Sequence, residues 1–248
     1  MRNVESGKEA TGVVDGRFRL TENRALNGRV HLLRLEGDTG AITAPGQFVS
    51  VAVPGKFLRR PFSVCDWDAD GGWITLVVEH VGAGTELLHN MEPGTELEVL
   101  TGLGNGFRIR TDRRNPVLVG CGSGLSPLVG LARRLTAAGI APRVLLGFRE
   151  EIDRFGAELF SVPELRYAED IFEALREMPH DYFYACGSET VMTELCRRDP
   201  SDGQVAFDVR MGCGFGACMG CAKKTRDGMK RVCKDGPVFG KEMLVWGD

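Results

Sequence analysis

Hydrophobic and polar residues alternate in short runs along the first hundred positions. Gly, Pro, Asn and Asp separate these runs and favour turns between strands. The five runs read RFRLTENRAL, RVHLLRLEG, GQFVSVAVP, WITLVVEHV and ELEVLTGLG. Strands at this spacing predict a small antiparallel β-barrel. One short helix, from Thr85 to Met91, is expected to interrupt it.

The pattern changes near residue 112. The runs PVLVG, PRVLLGF and DYFYACG are typical of short buried strands, and helical spacing follows Leu125 and recurs in DIFEALREM and ETVMTELCRR. This alternation predicts a parallel α/β sheet with helices on its faces. Regular periodicity fades after Asp202. We therefore expect three modules: a barrel in residues 1–112, an α/β domain in 113–205 and a small C-terminal segment in 206–248.

Composition and charge narrow the functional classes. The 248 residues are 43% hydrophobic and 26% charged, with a net charge of −3. The charge gives no reason to expect a nucleic-acid or membrane-surface partner. The chain has no apolar leader at its N-terminus and no run of eighteen apolar residues, so we expect a cytoplasmic protein. In a reducing cytosol, clustered cysteines more often bind metal or carry out redox chemistry than form disulfides.

Four of the eight cysteines fall within twenty-one residues near the end of the sequence: Cys213, Cys218, Cys221 and Cys233. Their spacing, C-x4-C-x2-C followed by a distant fourth cysteine, is that of plant-type [2Fe–2S] ferredoxins. Interleaved glycines allow such a loop to wrap closely around a cluster. A structural zinc site is an alternative, although it usually has two C-x2-C pairs or histidine ligands. Buried free thiols are a second alternative.

Two motifs in the first module indicate a flavin nucleotide. The run FLRRPFSVCD contains Arg60, Pro61, Phe62 and Ser63. An arginine beside a hydroxyl can hold a phosphate, and a flat apolar side chain can pack on a flavin ring. The alternative is a basic turn that leads into an edge strand.

The second motif, HVGAGTELL, places Gly82 and Gly84 before Thr85, an expected N-cap. A glycine turn that opens a helix presents N–H groups to a pyrophosphate, although an ordinary capped turn would look the same. The run TGLGNGF, Thr101 to Phe107, either closes over a ring system or joins two modules.

In the second module, VLVGCGSGLSPL places Gly120, Gly122 and Gly124 between a strand and a helix. Open α/β sheets bind phosphates at this position, but the G-x-G-x-x-G fingerprint is not matched. The run ACGSE brings Cys186 to the same edge, either beside a nicotinamide or as a buried thiol. The remaining cysteines are assigned to packing: Cys65, Cys121 and Cys196.

Together these motifs resemble the ferredoxin–NADP reductase superfamily. With the segments RMGCGFGACMGCAKKT and RVCKDGPVF, the sequence resembles the electron-transfer subunits of class 1B dihydroorotate dehydrogenase, over roughly residues 10 to 240. The resemblance implies one FAD in the barrel, one [2Fe–2S] cluster in the C-terminal segment and an NAD site in the α/β domain. It also implies a partner, the FMN-containing catalytic subunit.

The resemblance also implies residue roles, none of them that of a catalytic acid or base. FAD is expected to contact Arg60, Pro61, Phe62 and Ser63, and its pyrophosphate Gly82, Gly84 and Thr85. The nicotinamide side is expected at Gly122, Gly124 and Cys186. The cluster ligands are expected to be Cys213, Cys218, Cys221 and Cys233.

The implied function is an oxidoreductase subunit of pyrimidine biosynthesis, in a heterotetramer with two copies of each subunit. Electrons would pass from the partner's FMN through the cluster to FAD and then to NAD+. An alternative is the flavin and iron–sulfur subunit of a ferredoxin:NADP oxidoreductase, a sulfide dehydrogenase or a hydrogenase. Some of those relatives replace one cysteine ligand with Asp, so four cysteines favour the dihydroorotate assignment. A zinc-stabilised binding module is a third hypothesis. The choice between NAD and NADP stays open, because Arg149 would favour the 2′-phosphate of NADP and Glu150 the free ribose of NAD.

Overall fold

The structure, a computed structural model, describes residues 12–245. The outer ends of the expected first and third modules, residues 1–11 and 246–248, lie outside the described residues. The first six strands are β1 (Val14–Ala25), β2 (Val30–Glu36), β3 (Phe48–Val51), β4 (Arg60–Asp68), β5 (Trp73–Glu79) and β6 (Glu96–Leu103). They close into a barrel in the order β1-β2-β5-β4-β3-β6, and every neighbouring pair is antiparallel. The predicted antiparallel barrel is confirmed.

Alternation of buried and exposed side chains explains the barrel. Along β6, Leu97 and Val99 point inward between exposed glutamates, and Phe18, Leu35 and Leu76 complete the interior from other strands. Because side chains alternate across a strand, this pattern gives each strand one apolar face. The strand β4 was not among the predicted runs, because its Arg-Pro start interrupts the alternation.

A short helix, α1 (Ala83–His89), connects β5 to β6. It begins two residues earlier than expected, and its N-cap is Gly82. The expectation of an N-cap at Thr85 is therefore wrong. The Thr85 hydroxyl instead reaches back from the third helical position and accepts hydrogen bonds from the N–H groups of Val81 (2.9 Å) and Gly82 (3.2 Å). It caps the same end of the helix from inside the first turn.

The remaining strands are β7 (Pro116–Cys121), β8 (Arg143–Gly147), β9 (Glu164–Ala168), β10 (Tyr182–Ser188), β11 (Asp202–Asp208), β12 (Ala222–Thr225), β13 (Gly228–Arg231) and β14 (Val238–Gly240). Six of them form one sheet in the order β14-β11-β10-β7-β8-β9, and β12 and β13 form a separate hairpin. Five strands of the large sheet are parallel, which confirms the predicted α/β architecture. The sixth, β14, is antiparallel to β11 and comes from the cysteine segment.

Helices cover the sheet on both faces: α2 (Ser126–Ala137), α3 (Ile171–Arg176), α4 (Glu189–Arg198) and the single turn α5 (Val232–Asp235). One core lies under α2 and contains Leu128 and Tyr184, and a second lies on the opposite face around Phe183 and Leu195. No helix within residues 12–245 is long and apolar enough to span a membrane.

The barrel contacts the α/β sheet through β4 and α2. The Ser126 hydroxyl donates a hydrogen bond to the backbone carbonyl of Ser63 at 3.3 Å. Asp66 forms ion pairs with Arg133 (2.9 Å) and Arg134 (3.2 Å). This interface places the Arg-Pro-Phe-Ser motif of β4 beside the glycine loop that precedes α2.

Candidate functional site

The fold brings the two flavin motifs of the barrel together. Arg60 lies at the start of β4, and its guanidinium group reaches the first turn of α1. A Cβ atom added to Gly84 would lie 2.8 Å from Arg60 Nε, so the missing side chain makes room for this contact. Phe62 and Ser63 follow on β4, in register with Val49 and Phe48 of β3. A cation beside free N–H groups of a helix start is suited to a phosphate.

Residues 101–107 comprise the end of β6 and the loop that follows it, and this loop contacts the cysteine segment. Asn105 donates from its backbone N–H to the Gly236 carbonyl at 2.6 Å. Its side-chain amide donates to the Val238 carbonyl at 2.8 Å and accepts from the Val238 N–H at 2.9 Å. Gln47 of the barrel holds the Gly104 carbonyl at 3.2 Å. No local sequence pattern predicts the bonds between Asn105 and the cysteine segment, because the bonded residues are 130 or more positions apart.

A cavity of about 570 Å³ opens at the carboxyl ends of β7, β8 and β10. Gly122 and Gly147 line it from the sheet, and Asn27 and Arg29 line it from the turn between β1 and β2. The Asn27 amide also donates to the Asp153 carbonyl at 3.3 Å, which ties this turn of the barrel to the α/β domain. Ligand crevices in open α/β sheets lie at this edge, and the volume is in the usual range for a small-molecule site.

Charged residues of both signs line this cavity: Arg29, Glu79, Arg149, Asp153, Glu169 and Asp170. Glu150, which together with Arg149 left the choice between NAD and NADP open, is exposed. Four carboxylates against two guanidinium groups favour a ribose hydroxyl over a 2′-phosphate, because a phosphate would be repelled by the carboxylates.

Cys121 and Cys186 lie near this cavity, and the structure places their side chains differently from what the sequence suggested. Cys121, assigned to packing, lines the cavity, and burial raises the pKa of its thiol to about 11. Cys186 lies inside the core on β10 with 3% of its surface exposed, and burial raises its pKa well above the ordinary value. Gly124 packs against the same strand: a Cβ atom there would lie 2.4 Å from the Cys186 carbonyl oxygen.

The four cysteines of the C-terminal segment form two pairs. The Cys213 N–H faces Cys218 Sγ at 3.5 Å and the Cys218 N–H faces Cys213 Sγ at 3.4 Å. The Cys233 N–H faces Cys221 Sγ at 3.4 Å. Two pairs of thiolates fit two irons with two protein ligands each, and differ from four thiolates that converge on one zinc ion. Across residues 12–245, no group of three or more His, Cys, Asp or Glu side chains is placed so that it could hold a metal ion.

The two pairs differ in exposure. Cys218 is exposed and Cys213 is half-buried, whereas Cys221 and Cys233 are buried. For Cys213, burial favours the neutral thiol, but hydrogen bonds from the backbone of Cys218, Phe215 and Ala217 outweigh it and lower the pKa to about 6. For Cys233, burial and the neighbouring Cys221 thiol raise the pKa to about 12. Amide donors aimed at sulfur are the usual surroundings of iron–sulfur ligands, so the segment fits such a cluster.

Comparison with known proteins decides the family. The profile described as the iron-sulfur cluster binding domain of dihydroorotate dehydrogenase B matches residues 208–245, which contain all four paired cysteines. The dihydroorotate dehydrogenase B (NAD(+)) electron transfer subunit of Geobacillus kaustophilus is 36% identical over 250 aligned positions, with 90% of this chain and 96% of the relative covered. The chain belongs to this family of electron transfer subunits. The subunit of the same name from Bacillus caldolyticus is 35% identical over 249 positions, with the same coverage.

Solved structures show that this chain shares its fold with several reductases. An NADH-dependent reduced ferredoxin-NADP oxidoreductase structure aligns with a TM-score of 0.81 and 24% identity, over 92% of this chain and 90% of that chain. A cytochrome P450 reductase from Amycolatopsis aligns with a TM-score of 0.63 and 22% identity, over 77% of this chain and 67% of the other. These likenesses confirm the predicted fold, a β-barrel followed by an α/β domain.

Proposed function

We propose that this chain is the electron-transfer subunit of a B-type dihydroorotate dehydrogenase in pyrimidine biosynthesis. Its partner is an FMN-containing catalytic subunit that oxidises dihydroorotate to orotate, and NAD+ is the final acceptor. One observation carries the proposal: the two cysteine pairs at 213–233 occur in a chain whose remaining residues fold as a flavin reductase. A reducing cytoplasm suits four free thiols that must remain available for iron.

Each cofactor has residues suited to hold it. Cys213, Cys218, Cys221 and Cys233 would bind the irons of a [2Fe–2S] cluster. Arg60, Pro61, Phe62 and Ser63 would position FAD, with its pyrophosphate at Gly82, Gly84 and Thr85. Gly122, Gly124 and Cys186 would border the nicotinamide, Gly124 and Cys186 through their backbone. The bound cluster supplies single-electron transfer, and the flavin links this to hydride exchange with a nicotinamide.

The residues of this chain bind and orient the cofactors and shield them from water, and none is required as a general acid or base. The cavity at the carboxyl edge of the sheet holds the nucleotide between the barrel and the α/β domain. Buried apolar side chains around Cys221 and Cys233 exclude water from the inner cysteine pair. The two glutamates and two aspartates on the cavity wall support NAD over NADP.

The exposed side of the cysteine segment is suited to the partner subunit. Phe215 and Met219 flank Cys218 with half of their surfaces exposed. Between Val209 and Val245 there are eight Lys or Arg residues and three Asp or Glu residues, in a chain whose net charge is −3. An apolar centre in a basic surround fits a partner with a complementary acidic face. We infer a heterotetramer with two copies of each subunit, which light scattering of the purified complex would test.

The decisive experiment is anaerobic purification of the complex from its native cells, followed by addition of dihydroorotate. We expect FAD, iron and acid-labile sulfide in this chain, and bleaching of both the flavin and the cluster absorbance. Absence of bleaching, with a different companion protein, would favour the ferredoxin:NADP, sulfide dehydrogenase or hydrogenase alternative. A colourless zinc protein would refute every redox assignment.

A further inference from the structure

One peptide group of the cysteine segment lies between a cation and a cluster ligand. The carbonyl of Gly216 accepts a hydrogen bond from Arg231 Nη1 at 2.7 Å. The N–H of the same peptide belongs to Ala217 and donates to Cys213 Sγ at 3.2 Å. In a planar trans peptide the carbonyl and the N–H point in opposite directions. The hold of Arg231 on the oxygen therefore fixes the N–H toward the sulfur.

Arg231 is itself held from the turn that carries the fourth cysteine. Asp235 Oδ2 accepts from the Arg231 backbone N–H at 2.7 Å and lies 3.4 Å from Arg231 Nε. Asp235 stands two residues after Cys233, at the end of α5. The Arg231 side chain thus bridges the loop of the outer cysteine pair and the turn that bears Cys233. About a quarter of this side chain is exposed (27%), so water screens its charge only in part.

Gly216 is shaped for this contact. Its φ of +93° lies in the region that favours glycine, and a Cβ atom there would lie 2.7 Å from Lys234 Cδ. The loop therefore rests directly on the residue that follows Cys233. Any movement of the Arg231–Asp235 unit would be passed to the 216–217 peptide.

We propose that Arg231 is a positioning residue for the cluster, which holds the 216–217 peptide with its N–H on Cys213 and thereby raises the cluster's reduction potential and slows its loss. This inference rests on the proposed function, because it requires a [2Fe–2S] cluster at the four cysteines. Reduction adds negative charge to a cluster. Amide hydrogen bonds to a ligand sulfur, and a cation that polarises the amide, stabilise that added charge.

The test uses the complete complex and three variants: Arg231→Gln, Arg231→Lys and, as a matched control, Lys230→Gln. Lys230 is the half-buried neighbour on β13, so its replacement removes the same charge but leaves the Arg231 hydrogen bond to the 216–217 peptide in place. The measurements are a potentiometric titration followed by electron paramagnetic resonance, and the half-time of iron loss to a chelator. Circular dichroism and FAD content report on folding.

For R231Q we expect the ratio of reduced to oxidised cluster at a fixed potential to fall roughly tenfold, and iron loss to accelerate to a similar extent. For K230Q we expect a change of about twofold or less, because the peptide stays held by Arg231 and water still screens a half-buried surface charge in part. R231K keeps the cation but reaches Gly216 and Asp235 less well, so it should fall between the wild type and R231Q.

A wild-type potential and half-time in R231Q would overturn the proposal. So would equal shifts in R231Q and K230Q, because they would show a long-range charge effect. If R231Q purifies without iron but with FAD, the role of Arg231 in slowing loss of the cluster is supported, and the potential is then measured on R231K. Loss of both iron and FAD in R231Q and R231K would overturn the proposal in favour of a general folding role. Wild-type protein without iron and sulfide would refute the proposed function itself.

Discussion

Two glycine-rich stretches of this molecule carry cysteines, and they use glycine differently. Between residues 120 and 125, the glycines let backbone pack on backbone: a side chain on Gly124 would strike the Cys186 carbonyl. Between residues 212 and 220, the chain curls so that amide hydrogens face sulfur, with Ala217 N–H 3.2 Å from Cys213 and Gly220 N–H 3.4 Å from Cys218.

The consequence for the thiols is opposite. Burial raises the pKa of Cys121 to about 11, so this thiol stays neutral at physiological pH. At Cys213, burial acts in the same direction, but backbone donors outweigh it and lower the pKa to about 6. Identical residue types thus differ in the two loops: the Cys121 thiol stays neutral, whereas the Cys213 thiol ionises more readily because backbone N–H groups face its sulfur.

The largest expected effect comes from removing a ligand of the outer pair. Cys218→Ser should lose iron and abolish dihydroorotate-driven NAD+ reduction, a loss beyond the roughly 10- to 100-fold that changes around metal ligands cause. NADH oxidation by an artificial flavin acceptor should persist, because the proposed flavin and nucleotide sites lie outside the cysteine segment. Cys196→Ala, which truncates a thiol buried in the core, is the control and should retain its iron. Loss of both activities in C218S would refute the order of carriers.

The next effect concerns the packing glycine. Gly124→Ala should destabilise the fold by about 3 kcal/mol, because its Cβ atom would meet backbone rather than a movable side chain. Gly28→Ala is the control, since a Cβ atom there meets nothing within 4 Å. We expect it to stay within about 0.5 kcal/mol of the wild type. Urea unfolding of both variants gives the comparison, and equal stabilities would contradict the packing role of Gly124.

His180 shows that burial is not decisive where strong partners are present. Its ring nitrogens lie 2.7 Å from the Met178 carbonyl and 2.9 Å from Asp199 Oδ2. Both partners are acceptors when Asp199 is ionised, so both nitrogens must carry protons. Burial lowers the pKa of His180, but the bonds to Asp199 and Met178 outweigh it and raise the pKa above its ordinary value.

A raised pKa gives stability that is fully present below the unfolded-state pKa, about 6.5, and is lost as pH rises through the folded-state pKa. His180→Gln should therefore cost about 2 kcal/mol at pH 6 and less at pH 9. Urea unfolding at the two pH values measures this difference. An equal cost at both pH values would show that folding does not raise the pKa of His180.

The smallest expected effect concerns the reactivity of Cys121, in the glycine-rich stretch between residues 120 and 125. With a pKa of about 11, Cys121 should react with iodoacetamide about tenfold faster for each pH unit between 8 and 10, because only the thiolate reacts. Mass spectrometry of the digested protein would follow the modification, with Cys121→Ser as the blank. A rate independent of pH would mean that the cavity wall already carries a thiolate.

Much of the architecture was predictable because it depends on local pattern. Alternation marked five of the six barrel strands, and buried runs marked β7, β8 and β10. The strands β9 and β11 were missed. In β9, apolar and polar residues do not alternate clearly. In β11, Gly203–Phe207 are all buried, so the period of two that marks a half-exposed strand is absent. The spacing of the four cysteines identified their segment without any structure.

Contacts between distant parts of the chain could not be predicted. Asn105 and Val238 are 133 positions apart, and no local propensity links an asparagine in a glycine loop to that strand. The same holds for Arg60 beside Gly84 and for Arg231 above the 216–217 peptide. Whether Cys121 or Cys186 lines the cavity depends on which face of its strand each side chain occupies. A shift of one residue along a strand moves a side chain to the opposite face.

The antiparallel strand β14 has a consequence for biosynthesis. It is the last strand of the large sheet to be translated, and until it arrives β11 is an open edge with five consecutive buried residues, Gly203–Phe207. Unpaired apolar edges recruit other chains and lead to aggregation. Cys233 and then β14 must therefore be synthesised before the edge of the nascent nucleotide-binding sheet is paired. A nascent chain that stalls between them carries all four thiols while its sheet is still open to association with its neighbours.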